Sequence, residues 1–155
     1  MQQGRSERLT LAITRSLRWL RQHDLSTHEL TQRLRAEGFS ESETREAIDW
    51  LTAEGYLSDA RLRQRLTERY SHEQPSGRLR IEQEFARRGL DAPELEGDEE
   101  SRAVRALTLR FGEPPATAEP REVARWFRFL LQRGFESETA QNALRRWNPR
   151  LNDPL

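Results

Sequence analysis

The sequence contains no cysteine and no lysine, and its only methionine is Met1. Without cysteine there can be no disulfide and no thiolate metal site, which fits a reducing compartment. Without lysine every basic side chain is an arginine, whose planar fork suits carboxylate and phosphate, although a GC-rich coding bias gives the same composition. Apolar residues are also scarce. In 155 residues, 34% are hydrophobic and 34% charged. That is thin for one deep core and suits an elongated helical assembly of small units. No apolar run approaches the roughly 20 residues of a membrane span. The opening MQQGRSERLTLAIT has no signal-peptide core followed by a small-residue cleavage site. These absences predict a soluble cytoplasmic protein.

Catalytic and cofactor motifs are missing too: there is no GxGxxG, Walker loop, GxSxG or HExxH. The three histidines are His23, His28 and His72, and the first two are five apart, a poor spacing for one helix face. Glu41, Glu43 and Glu46 crowd a helix start, where negative charge is ordinary stabilisation. The expectation is a protein without catalysis, cofactor or metal.

What is present is charge, unevenly placed. The 26 basic and 26 acidic residues cancel overall. Residues 1–90 carry net +2, residues 91–120 net −5 and residues 121–155 net +3. An acidic middle separates two mildly basic ends.

Periodicity predicts helices throughout. Residues 1–8 are polar and are expected to fray, and Leu9, Ile13, Leu17 and Leu20 mark the first helix. Ser26 with Glu29, and Ser40 with Glu43, form capping boxes that open the next two, which end at Gly38 and Gly55. Ser58 caps a fourth, with Asp59 in its first turn. Val104, Leu107 and Phe111 mark a helix ending at Gly112. GEPPATAEP is a loop, and Pro120 opens the next helix. WFRFLL at 126–131 is apolar nearly all round and is expected to be the most buried helix. The tail from Asn148 is broken by proline and is expected to be loose.

Aligning Gly38, Gly89 and Gly134 exposes a repeat. Eight residues before each stand Leu30, Ile81 and Trp126; four before stand Leu34, Phe85 and Leu130; one after stand Phe39, Leu90 and Phe135. Ala47, Ile48 and Leu51 match Ala143, Leu144 and Trp147 at equal offsets. The pattern describes a middle helix with two buried rungs, a glycine C-cap and an apolar residue folding back. The expected architecture is all-α: three tandem three-helix repeats at 9–55, 56–97 and 98–148, elongated and curved, with flexible termini at 1–8 and 149–155. Pro93 and Gly97 leave no room for a normal third helix in the second repeat, so residues 91–97 form at most one turn.

The stretch from Gly55 to Leu90 holds two helical segments joined at Gln74-Pro75-Ser76-Gly77. Its outer faces carry Arg61, Arg63, Arg65, Arg69, Arg78, Arg80, Arg87 and Arg88. A helix pair this basic is a candidate surface for an anionic partner, although a solvated exterior looks the same. Trp50 lies one position off the Ile48/Leu51 stripe and is the best candidate for an exposed aromatic contact. An autonomous DNA-binding protein is one reading, with Arg78, Arg80, Arg87 and Arg88 tracking phosphates. Zero net charge argues against strong binding of that kind.

Five pieces, in order, resemble the RecX family, regulators of the RecA recombinase. They are Ser26-x-x-Glu29-Leu30, the GYLSDAR run at 55–61, Gly77-x-x-Arg80-Ile81-x-x-Glu84-Phe85-x-x-Arg88-Gly89-Leu90, Phe111-Gly112-Glu113-Pro114, and Arg128-Phe129-Leu130-x-x-Arg133-Gly134-Phe135. The resemblance spans Leu17 to Trp147. It implies tandem three-helix units and binding in the groove of the RecA filament on single-stranded DNA, with suppression of strand exchange, ATP hydrolysis and filament growth. Three features depart from the family: His23, Asp24 and Leu25 stand where it often has arginines, Leu62 stands where it usually has phenylalanine, and the end of the second unit is short.

Overall fold

The computed structural model describes residues 2–152, and all regular structure among them is helical. Eight α-helices follow in order: α1 (Gln2–Gln22), α2 (Thr27–Ala36), α3 (Glu41–Ala53), α4 (Asp59–Glu68), α5 (Arg78–Arg87), α6 (Glu99–Phe111), α7 (Pro120–Gln132) and α8 (Ser137–Trp147). A π-helical turn, Arg69–Glu73, extends α4, and a 3-10 turn, Pro149–Asn152, follows α8.

Local chemistry sets many of the boundaries. Both capping boxes form: the Ser26 and Ser40 hydroxyls accept from the Glu29 and Glu43 amides, and each glutamate accepts from its serine's amide in return. At the other ends Gly38, Gly89 and Gly134 take positive φ. The residue after each glycine donates back to the helix: Phe39 to Leu34 O, Leu90 to Phe85 O and Phe135 to Leu130 O. Those three apolar residues are buried, as are Leu30, Leu34, Ile81, Phe85, Trp126 and Leu130. Residues 91–98 contain no helix.

The chain divides into two compact units. One comprises the residues up to Arg65 with Phe85–Asp91; the other comprises Leu66–Glu84 with the residues from Ala92 on. These limits cut through α4 and α5. In the first unit α1 packs on α2 and α3 around Ala12, Leu30, Leu34, Phe39, Ala47 and Leu51. In the second, α6 and α7 pack on α8 around Leu107, Trp126, Leu130, Phe135, Leu144 and Trp147. The Trp126 and Trp147 rings meet edge to face at 5.0 Å.

Three expectations need correction. Residues 2–8 are helical, because ion pairs do there what apolar residues do elsewhere. Arg5 pairs with Glu46, and Arg8 reaches Glu43 at 2.5 Å and the Gly38 carbonyl at 3.2 Å, tying α1 to the start of α3. Next, 126–131 is not buried all round. Trp126 and Leu130 are buried, Phe127 and Phe129 are half-buried, and Leu131 is exposed. Arginines 125, 128 and 133 interleave with these residues, so the helix keeps one buried face. Last, the tail from Asn148 is ordered as far as residue 152, with Asn148 buried and its side-chain oxygen accepting from the Arg150 amide at 3.3 Å. Met1 and residues 153–155, part of the expected flexible termini, lie outside the described residues.

Candidate interaction surface

The sequence-predicted arginines differ in exposure and in what they touch. In the first unit, Arg88 grips Glu29 through Nε at 3.1 Å and Nη2 at 3.0 Å, and Nη2 also donates to the Asp24 carbonyl. Its side chain is 16% exposed and that of Glu29 24%. Burial pushes the Glu29 carboxyl up. The Arg88 fork and the Ser26 amide outweigh that and hold its pKa below the ordinary value. Arg65 Nη1 reaches the Asp24 carboxylate at 2.6 Å. Asp24, in the α1–α2 link, therefore receives both arginines.

Arg61 is exposed and donates through Nη2 to the Gly55 carbonyl at 2.8 Å, closing the end of α3. Arg87 is exposed. Trp50 is 40% exposed and stacks on Tyr56, itself 53% exposed, with ring centres 5.9 Å apart and planes 15° from parallel. Tyr56 belongs to the GYLSDAR run, yet sequence reasoning passed it over. Its distance from Trp50 depends on how the chain turns at Gly55.

In the second unit, Arg69 is exposed at the head of the π turn. The Arg78 side chain is exposed, and its amide donates to Glu99 Oε2 at 3.1 Å. Glu99 also pairs with the buried Arg102, whose Nε donates to the Ser76 carbonyl at 2.8 Å. This fixes the first turn of α6 on the start of α5. Arg80 is half-buried, with Nη1 3.5 Å from the Gln132 carbonyl.

Sequence reasoning missed a further group of arginines here. Arg110 and Arg125 lie over the Phe111 ring at 5.4 and 5.2 Å, and Arg133 over Phe129 at 5.1 Å. The two phenylalanines meet edge to face at 5.2 Å. Among the described residues none of these arginines, nor Arg80, has a carboxylate within ion-pair distance. Burial, then the charges of Arg80 and Arg110, lower the Arg133 pKa from its ordinary value. Phe111, Phe129 and Arg133 belong to motifs visible in the sequence, whereas Arg110 and Arg125 do not; folding sets Arg133 close enough to Arg80 and Arg110 to feel their charge.

One cavity of about 870 Å³ lies between α7, α8 and the loop before α7, lined by Val123, Phe127, Leu144 and Leu151. Its polar lining includes Gln141, Asn148, Arg145 and Arg150, and among the described residues no carboxylate or histidine lines it. Among the described residues no cluster of histidine and acidic side chains could hold a metal ion, and no helix is long and apolar enough to cross a membrane.

The comparisons with known proteins agree with this architecture. Residues 12–51, which span α1 to α3, match the family described as RecX, first three-helix domain. The regulatory protein RecX of Leptothrix cholodnii is 35% identical over 138 residues, covering 84% of this chain and 85% of that protein. The regulatory protein RecX of Acidithiobacillus ferrooxidans is 36% identical over 132 residues, covering 83% and 85%. The crystal structure of RecX from Lactobacillus salivarius superposes with a TM-score of 0.68 at 15% identity, covering 93% of this chain and 99% of that one, a likeness of fold. At 35–36% identity to these regulatory proteins over most of both lengths, the chain belongs to the RecX family.

Proposed function

We propose that this chain binds the RecA filament formed on single-stranded DNA and lowers its strand exchange and ATP hydrolysis, acting in the cytoplasm as a regulator without catalysis of its own. The observation that carries this reading is the kinship with regulatory proteins over more than four-fifths of the chain. The outward arginines Arg61, Arg69, Arg78 and Arg87, with the Trp50–Tyr56 stack, are the contacts we assign to the filament. Arg65 and Arg88 we assign to holding the fold, because Asp24 and Glu29 already engage them. We also read the chain as tandem units at 9–55, 56–97 and 98–148, and a hydrogen-bonded joint at equivalent positions, made once by a side chain and once by backbone, supports this. The hydroxyl of Ser26, twelve residues before Gly38, donates to the Arg88 carbonyl at 2.5 Å; the amide of Gly77, twelve before Gly89, donates to the Arg133 carbonyl at 2.7 Å.

An autonomous DNA-binding protein is the second reading, and the outward arginines favour it. A chain of zero net charge neutralises few phosphates, so naked DNA should bind with a shallow salt slope and Kd of roughly 10⁻⁴–10⁻⁶ M. RecA contacts must supply the rest by burying apolar surface and pairing charge. Binding to labelled single-stranded DNA, bare and coated with RecA, separates the two. Tighter binding to the coated strand supports the regulator; equal affinity for both supports the DNA binder.

A further inference from the structure

The two joints differ in one side chain. At the first, the arginine preceding the C-cap glycine, Arg88, finds Glu29, which stands nine residues before Gly38. At the second, the equivalent arginine is Arg133, and the residue nine before Gly89 is Arg80. An ion pair at one joint is replaced by two like charges at the other. The backbone keeps them there. Gly134, at φ +92°, packs so closely on Arg80 that a Cβ on it would collide with the Arg80 main chain and Cβ. Neither guanidinium has a carboxylate partner among the described residues. The Arg133 guanidinium carbon sits 5.1 Å from the centre of the Phe129 ring, a contact that limits where the side chain can go.

A groove of about 340 Å³ runs beside Arg80, walled by Leu79, Gln83, Glu84, Leu131 and Gln132 and reaching Gly134, the residue after Arg133. Leu79 is 51% exposed and Leu131 40%. The one acidic wall, Glu84, is a turn along α5 from Arg80, so positive charge and negative charge mark opposite ends of the α5 side.

We infer that this groove docks an acidic, leucine-type segment of a partner protein, one carboxylate taking at the Arg80/Arg133 joint the place that Glu29 takes at the first joint, and an apolar side chain covering Leu79 and Leu131. A nucleic acid would use the arginines but has no need of two exposed leucines. The inference stands apart from the identity of the filament partner.

The test is amide NMR of the isotope-labelled full chain, titrated with a short capped peptide of glutamate and leucine. The same peptide with lysine for glutamate, and an oligothymidylate, serve as comparisons. The expected result is saturable shifts confined to residues 79–84 and 131–134, from the acidic peptide only. R80Q/R133Q should weaken binding by about tenfold or more, and L79S, a change at an exposed site that leaves the fold intact, by roughly fivefold. Shifts elsewhere, equal binding of the lysine peptide, a stronger response of the same residues to oligothymidylate, or L79S binding as well as the parent would overturn the inference.

Discussion

The amide of Gly77 donates to the carbonyl of Arg133 at 2.7 Å, and the backbones meet so closely that a Cβ on Gly77 would strike the Gly134 carbonyl and the Phe135 amide. Backbone cannot yield as a flexible side chain can. Gly77→Ala is therefore expected to cost about 2 kcal/mol or more, read from the urea midpoint. Gly4→Ala is the comparison. Gly4 sits in α1 with open space around it, so alanine there should stabilise by roughly 0.5–1 kcal/mol if the first turns of α1 are helical. No gain at Gly4 would return those turns to the frayed state that their polarity suggested.

Acid should loosen the first unit. The Arg8 hydrogen bond, followed by the Ser40 amide, lowers the Glu43 pKa from 4.5 to about 2. A depressed carboxylate contributes stability that is fully present above its unfolded value and is lost as pH falls through its folded value. Glu29 is shifted in the same direction. The urea midpoint should therefore fall between pH 4.5 and 2, and Glu43→Gln should flatten the slope across that window. An unchanged slope in the variant would mean that Arg8 does not hold Glu43 in solution.

Arg88 and Arg69 should behave differently on truncation. Arg88→Ala removes a partly buried charged fork and strands Glu29, at a cost of about 2 kcal/mol. Arg69→Ala removes an exposed side chain and should stay within about 0.5 kcal/mol. Thermal unfolding of the two variants checks this. Equal losses would remove the distinction between holding and outward arginines.

Phe85 is fully buried at one of the repeated rungs, and Phe85→Ala should cost about 3 kcal/mol. A loss under about 1 kcal/mol in a denaturant titration would show that the site collapses around the deletion.

Local features of the fold were legible because their causes are local. Ser26 with Glu29, Ser40 with Glu43 and the three C-cap glycines mark helix ends within a few residues of chain, and their offsets expose the buried rungs. Pro93 and Gly97 likewise forbade the helix that is absent at 91–98. Pairings across long separations were not legible. Arg88 and Glu29 are 59 residues apart, and no helical spacing rule links them. The first turns of α1 depend on Glu43 and Glu46, carboxylates of another helix. The π turn at Arg69–Glu73, which holds the buried Tyr70, has no sequence signature. Of the candidate surface, composition identified the residue type. Which arginines face outward was decided by Asp24, Glu29 and the Gly77–Gly134 contact.

The central claim is that the chain restrains RecA. The most direct measurement is the steady-state rate of ATP hydrolysis by RecA on single-stranded DNA as this protein is titrated in. The rate should fall saturably, and Arg61→Glu combined with Arg69→Glu and Arg78→Glu should shift the titration to higher concentration while circular dichroism shows the helices intact. A rate unchanged at protein concentrations well above that of RecA would contradict the account.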